Sequence, residues 1–187
     1  THGHEDHIGA IQHLLAAAAV PVYATPLTRG LIEVKLARNG LSNIELHTIQ
    51  AGEVVQIGPF QIETFHVCHS IPDAVGLGIT TPAGLVVHTG DYKFDQTPVD
   101  NWPTDFAKLA EFSARGVAVL LGDSTNSERS GWTPSERVIG PAFDEVFRTA
   151  PGRIIIATFA SLIARMQQVT DAAVRHHRKI AFVGTSM

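Results

Sequence analysis

The 187-residue chain has a single cysteine, Cys68, so no intramolecular disulfide can form; the sequence fits a reducing compartment, with the cytoplasm as the expectation. Long hydrophobic runs are also missing. The longest smooth apolar stretch near the start, residues 14–20, falls well short of the ~20 residues that a membrane span needs, and no positively charged leader precedes it, so no membrane partner is expected. Basic residues are in no excess: 14 against 18 acidic ones leave a formal charge of −4, and any grip on a polyanion must be local or metal-mediated. With 44% hydrophobic and only 17% charged residues the composition is that of a folding chain, and no collagen-like, coiled-coil or internal repeat is present. The length allows one ordinary domain, or one and part of another. The chain opens at Thr1 directly on a histidine-rich motif, and residues 180–187 read as a buried strand running into a glycine turn. Both ends are therefore expected to be cuts in a longer protein.

Residues 6–19 carry Ile8, Ile11, Leu14 and Leu15 at helical spacing and predict one helix, ended by Pro21. A short strand at 21–24 follows, then a helix over 27–38 capped at Thr25-Pro26 and stopped by Asn39-Gly40. Runs rich in β-formers at 44–49, 53–57, 60–67, 75–80 and 85–88, separated by Gly and Pro turns, predict a meandering sheet. A helix at 106–114 leads to a buried strand at 117–121. Beyond it the pattern alternates as a parallel α/β unit does: helix 134–148, strand 153–158, helix 162–177, strand 179–183. A boundary is expected near residues 127–133.

The opening, Thr1-His2-Gly3-His4-Glu5-Asp6-His7, places three imidazoles and two carboxylates within seven residues, a donor set suited to a hydrolytic Zn²⁺ centre. On extended backbone His2 and His4 point to the same side and can reach one ion, while Asp6 and His7 lie past the turn into the first helix and can face a second. Further ligands are expected at strand ends, where backbone holds them rigidly: His69 after one β run and Asp91 after another. A carboxylate such as Asp91 can bridge two ions, which is the arrangement of a binuclear hydrolase.

The series His2-x-His4-x-Asp6-His7, His69 and Gly90-Asp91 resembles that of the metallo-β-lactamase fold, an αββα sandwich with ligands at strand ends. To it are added His69-Ser70-Ile71-Pro72-Asp73, the run from His88-Thr89-Gly90-Asp91 to Asp95, Gly122-Asp123-Ser124-Thr125-Asn126 and Ala157-Thr158-Phe159-Ala160-Ser161. Together these pieces resemble the ribonuclease J family of the β-CASP branch, in family order over nearly the whole chain. The resemblance implies an α/β chain: a partial metallo-β-lactamase sandwich at 1–126 and the start of an inserted β-CASP α/β domain at 127–187. It implies two Zn²⁺, with His2, His4 and His69 on one, Asp6 and His7 on the other and Asp91 bridging. A last ligand, a histidine far downstream, lies outside this chain. Asp6, Asp91 and Asp123 form the implied catalytic set, with Asp123 handling protons or orienting groups beside the metals.

For a substrate 5′-phosphate the backbone amides of Ala160 and Ser161, with Ser161 Oγ, are the candidates at the N-terminus of the following helix, aided by Arg165. Leu162 and Ala164 depart from the polar residues that many members carry there. The implied function is a zinc-dependent ribonuclease, 5′→3′ exonucleolytic on 5′-monophosphorylated RNA and also endonucleolytic, in mRNA decay and rRNA maturation. RNA is then the partner, with assembly as homo-oligomeric dimers or tetramers or with a paralogous subunit, and this stretch by itself is expected to be inactive. The competing expectations are a DNA-directed β-CASP nuclease or a thioester hydrolase on the same fold, and a non-catalytic scaffold, which would not need six metal ligands.

The other histidines read as structural: His13 and His47, His66 inside a strand, and His176-His177 at a helix end. His88 is expected to support the ligands from behind or to pack. Cys68 reads as core, since alternation turns it away from His69. Ser70 and Asp73 fit a role near the scissile phosphate or turn chemistry around Pro72 equally well. Lys35, Arg38, Lys93, Arg129, Arg137 and Arg165 are scattered without interleaved aromatics, so no stacking platform for a single strand is expected.

Overall fold

The computed structural model describes residues 1–184. In chain order the elements are α1 (Glu5–Ile8), α2 (Ile11–Ala17), β1 (Val22–Ala24), α3 (Pro26–Arg38), β2 (Leu46–Thr48), β3 (Val54–Ile57), β4 (Phe60–His66), β5 (Val75–Thr81), β6 (Gly84–His88), α4 (Phe106–Arg115) and β7 (Val117–Leu121). A 3₁₀ turn (Glu136–Ile139), α5 (Gly140–Thr149) and α6 (Ile163–Arg175) follow. Strands β1 and β2 pair in parallel, and β3 to β7 form a five-stranded sheet in sequence order. It is antiparallel except for the β6–β7 pair, which is parallel and carries a register irregularity at Leu85/Val86.

Three apolar clusters hold these pieces. Ile8, Leu15, Ala24, Ile32 and Leu36 seat α1, α2 and α3 on the two-stranded sheet. Phe65, Val67, Ala74, Leu85, Val87 and Phe112 seat α4 on the larger sheet, with the Phe65 and Phe112 rings edge to face at 5.7 Å. Gly78 makes that contact possible, because a Cβ there would collide with the Phe112 ring. Phe147, Val169, Ala172 and Ala173 pack α5 against α6.

Several expected elements come out differently. The predicted helix over 6–19 is two, because the chain turns at Gly9-Ala10 after one helical turn has brought His7 back toward His2. Thr25 is the N-cap residue of α3 as expected, but its hydroxyl bonds to that of Thr28 rather than to a backbone amide, and the Leu27 amide donates to Asp73 Oδ2 at 2.9 Å. The helix predicted over 134–148 is a 3₁₀ turn followed by α5, which restarts at Gly140-Pro141 because proline suits a first turn. Strand β7 is exposed along its length rather than buried, since the elements described here cover neither its free edge nor its apolar side chains. Residues 153–158 and 179–183 carry strand-like apolar runs yet form no ladder, because a strand exists only through backbone pairing and these two find no partner among the described residues. The end of the predicted terminal run, 185–187, lies outside the described residues.

Candidate metal centre

His4 is the extended N-cap of α1, and its carbonyl accepts the amides of His7 and Ile8, both at 3.0 Å. The segment before it runs beside the start of β5, where Thr1 O accepts from Val75 N at 3.0 Å. His2 and His4, two residues apart on extended backbone, thus face the same way. Buried Ile8 anchors the single turn of α1, which brings the His7 ring against His2, tilted at 44° with centroids 4.0 Å apart.

His69 arrives from the end of β4. Its neighbour Cys68 is buried in the opposite direction, and its backbone is tied at both ends: the amide to Thr104 Oγ1 at 3.0 Å, the carbonyl to Lys93 N at 2.7 Å. Burial, with Asp95 and Asp100 adding to it, raises the Cys68 thiol to about 11, so it remains a protonated core residue. Asp91 arrives from β6 by way of Thr89 and Gly90.

Two sets of ligand atoms result. His2, His4 and His69 form one; His2, His7 and Asp91 form the other. His4 Nδ1 lies 3.2 Å from His2 Nε2 and 3.1 Å from His69 Nε2. A tetrahedral zinc with N ligands at 2.0–2.1 Å would set such pairs about 3.3 Å apart, so the spacing fits an ion at the centre of the three nitrogens. Lone pairs that converge in this way repel one another unless a proton or a cation lies between them. Asp91 Oδ2 sits 3.2 Å from His7 Nε2 and 3.9 Å from both His2 Nε2 and His69 Nε2, within reach of both sets. His2 is fully buried, and that burial together with the neighbouring imidazoles of His7, His69 and His4 drives its pKa down to about 2. Burial and His4 also lower His69, against the opposing pull of Asp91 and Asp123. Neutral imidazole is the ligating form, so the cluster is prepared for a metal.

Asp6 stands apart. Its carboxylate is exposed and approaches the cluster only through Oδ2, 3.7 Å from His7 Nε2. Asp123 follows β7; burial opposes its ionisation, but the Thr125 hydroxyl and amide, donating to Oδ1 at 2.6 and 2.8 Å, and the Tyr92 amide outweigh it and hold the carboxyl below its ordinary value. Ser70 Oγ reaches His4 Nε2 at 3.5 Å, while Asp73 serves as the cap of α3. Two residues that the sequence reading had not singled out join the site. Thr89 stands between the Asp91 and Asp123 loops, and Thr125 braces Asp123. Their only sequence signal is a hydroxyl one or two residues from a ligand-bearing Gly-Asp turn. Among the other histidines, His66 Nδ1 donates to Pro103 O and its ring stacks on Trp102, His47 stacks on Tyr23, and His176 pairs with Asp144.

The phosphate candidates lie elsewhere. Helix α6 begins at Ile163 with Leu162 as its N-cap, so Ala160 and Ser161 sit in the preceding turn, where Leu162 N donates to Phe159 O. The Arg165 guanidinium is held by Glu136 at 2.5 Å, with its Nε buried and without a partner among the described residues. No helix among the described residues is long and apolar enough to cross a membrane.

The family profile described as a beta-lactamase superfamily domain matches residues 1–102, and that described as the beta-CASP domain of ribonuclease J matches 151–187. Over its whole length the chain is 47% identical to ribonuclease J of Helicobacter pylori strain J99, covering 27% of that protein. It is 45% identical to ribonuclease J of Thermus thermophilus and 44% to that of Mycobacterium tuberculosis strain H37Rv, covering 34% of each. The chain therefore spans about a quarter to a third of these relatives. A crystal structure of a protein of unknown function from Enterococcus faecalis V583 superposes with a TM-score of 0.62 at 20% identity, over 82% of this chain and 39% of that one, which shows a shared fold. A metallo-β-lactamase domain followed by the start of a β-CASP domain, with identity at this level along every residue, has one consequence: the chain belongs to the ribonuclease J family of the beta-lactamase superfamily.

Proposed function

We propose that this chain carries the metal-binding part of a zinc-dependent ribonuclease that removes nucleotides 5′→3′ from 5′-monophosphorylated RNA and also cuts internally, acting in the cytoplasm in mRNA decay and rRNA maturation. The observation that carries the reading is the convergence of His2, His4, His7, His69 and Asp91, with buried His2 held neutral. The choice of RNA rests on the ribonuclease J relatives. His2, His4 and His69 would hold one ion, and His7, Asp91 and, after a rotation of its exposed side chain, Asp6 the other. When bound, such ions supply an activated water and stabilise charge on the attacking and leaving oxygens of an in-line displacement. The chain's own side chains fix the geometry. Asp91 lies between the two sets, and Asp123, held in its charged form, is a hydrogen-bond acceptor that orients groups at the scissile phosphate; a carboxyl with a lowered pKa is a weak base. We place the domain boundary at 126/127. The substrate's 5′-phosphate would meet the turn at Ala160 and Ser161, with Arg165 available once Glu136 releases it.

The test uses the full-length gene product with three end-labelled strands, a 5′-monophosphorylated RNA, the same RNA with a 5′-triphosphate and a matching DNA, each with and without chelator. Chelator-sensitive release of mononucleotides from the monophosphorylated RNA is expected. Intact RNA beside hydrolysed DNA would leave the fold and overturn the substrate.

A further inference from the structure

The aim of Asp91 is not set by a strand, since β6 ends at His88 and two residues, Thr89 and Gly90, separate the two. It is set by a braced turn. Thr89 N donates to Leu121 O at 3.0 Å, which extends the parallel β6–β7 pairing by one bond. The Thr89 hydroxyl then donates to Gly90 O at 2.6 Å and accepts from Asp123 N at 3.1 Å. One side-chain oxygen is thereby bonded to the residue before Asp91 and to Asp123 itself. Gly90 N donates to His88 Nδ1 at 2.9 Å, and Gly90 has a φ of +60°, where a Cβ would stand 3.0 Å from Val75 O. The turn therefore has little freedom besides the bonds that Thr89 makes.

We propose that Thr89 is a positioning residue: its hydroxyl latches the Asp91 turn to the Asp123 loop and so fixes the one carboxylate of the two ligand sets against the imidazoles, beside His7 and within 3.9 Å of His2 and His69. The inference rests on the metal-centre reading above, but not on the identity of the substrate. Groups that orient metal ligands from behind change affinity or activity by about 10–100-fold when removed. A β-branched side chain already stands at this position, so valine keeps the shape and loses only the hydroxyl, whereas serine keeps the hydroxyl.

In the zinc-loaded full-length protein, Thr89→Val is expected to release zinc to a chromophoric chelator about tenfold faster or more, with Thr89→Ser close to the parent. In the metal-free protein, exchange of the Asp123 amide hydrogen should speed up in Thr89→Val and not in Thr89→Ser. Equal zinc release from Thr89→Val and the parent, or equal loss in both variants, would overturn the latch. A parent that holds zinc but leaves RNA intact would sink the ribonuclease reading and leave the latch to be decided by zinc release. A parent that binds no zinc would sink both.

Discussion

His2 shows how a ligand is prepared before any ion arrives. Its ring is fully buried, three other imidazoles surround it, and the proton that would compete with a metal is expelled, so the cost of a neutral, dry nitrogen is met by the fold. His2→Ala should therefore abolish the thermal stabilisation by zinc expected of the parent, about 2.7 kcal/mol at a free concentration a hundred times Kd. Calorimetry with and without zinc measures it, and an unchanged zinc response in the variant would remove His2 from both ligand sets. Asp73 shows the opposite outcome for a residue that the sequence left open. Its carboxylate caps α3 from 46 residues away, at a left-handed φ of 66° that asparagine also tolerates. Asp73→Ala is expected to lose about 0.5–2 kcal/mol in chemical denaturation while zinc binding persists, and Asp73→Asn to lose less. The ligand types were readable because metal chemistry restricts them to few residues at short spacing. The cap was not, because Thr25 next to the helix offered an equally good local candidate and only the fold brings Asp73 there.

Strand β4 presents Glu63 toward α4, where Lys108 Nζ at 3.0 Å and Arg115 Nη1 at 2.5 Å both donate to its carboxylate. Arg115 also donates to Thr80 Oγ1 at 2.8 Å, and the apolar part of the attachment is Phe112 over Gly78 with Leu109 beside it, so helix and sheet are joined by an apolar and a polar clasp. Burial opposes the charge on Glu63, but the Arg115 and Lys108 bonds outweigh it and lower the carboxyl below its ordinary 4.5. A lowered folded value means that the clasp contributes fully above the unfolded value and is lost as pH falls through the folded one. Glu63→Gln should thus destabilise by about 1–3 kcal/mol at pH 7, and the gap to the parent should shrink progressively below pH 4.5. Thermal unfolding at pH 7 and pH 3 checks this; a gap of the same size at both would assign the loss to packing. Helix α4 and strands β3 to β6 were readable because alternation and helical spacing are local properties. The runs 153–158 and 179–183 have the same local signal, yet pairing is not local, and without a neighbour in register they remain unladdered.

Among the described residues, the long-range side-chain bonds that join the metal-bearing part to the segment after residue 126 fall on one loop. Lys93 Nζ donates to Pro134 O at 2.6 Å, Ser135 Oγ to Thr97 O at 2.8 Å, and Arg137 Nη2 to Pro98 O and Asn101 Oδ1 at 2.6 and 2.5 Å. Beneath them lies buried Asp95, whose burial opposes ionisation but whose bonds from Thr97 N and Ser135 keep it charged, with Lys93 at 3.8 Å. That loop begins at Tyr92, beside Asp91, so the anchor of the second region and the aim of the metal ligand share one stretch of chain. The anchor has little apolar content, and polar bonds at a partly wet surface are each worth only about 0.5–1.5 kcal/mol. The second region is thus held in place by geometry more than by energy. Arg137→Ala removes two of these bonds at once and should accelerate proteolytic nicking within residues 127–134 severalfold, since local opening governs such cleavage. Zinc binding should stay at the parent level, because Arg137 touches none of the ligands. Limited proteolysis followed by mass mapping measures the first effect and zinc titration the second. Nicking at the parent rate would mean that the remaining bonds suffice, and a loss of zinc would mean that the loop at 92–101 passes strain to Asp91.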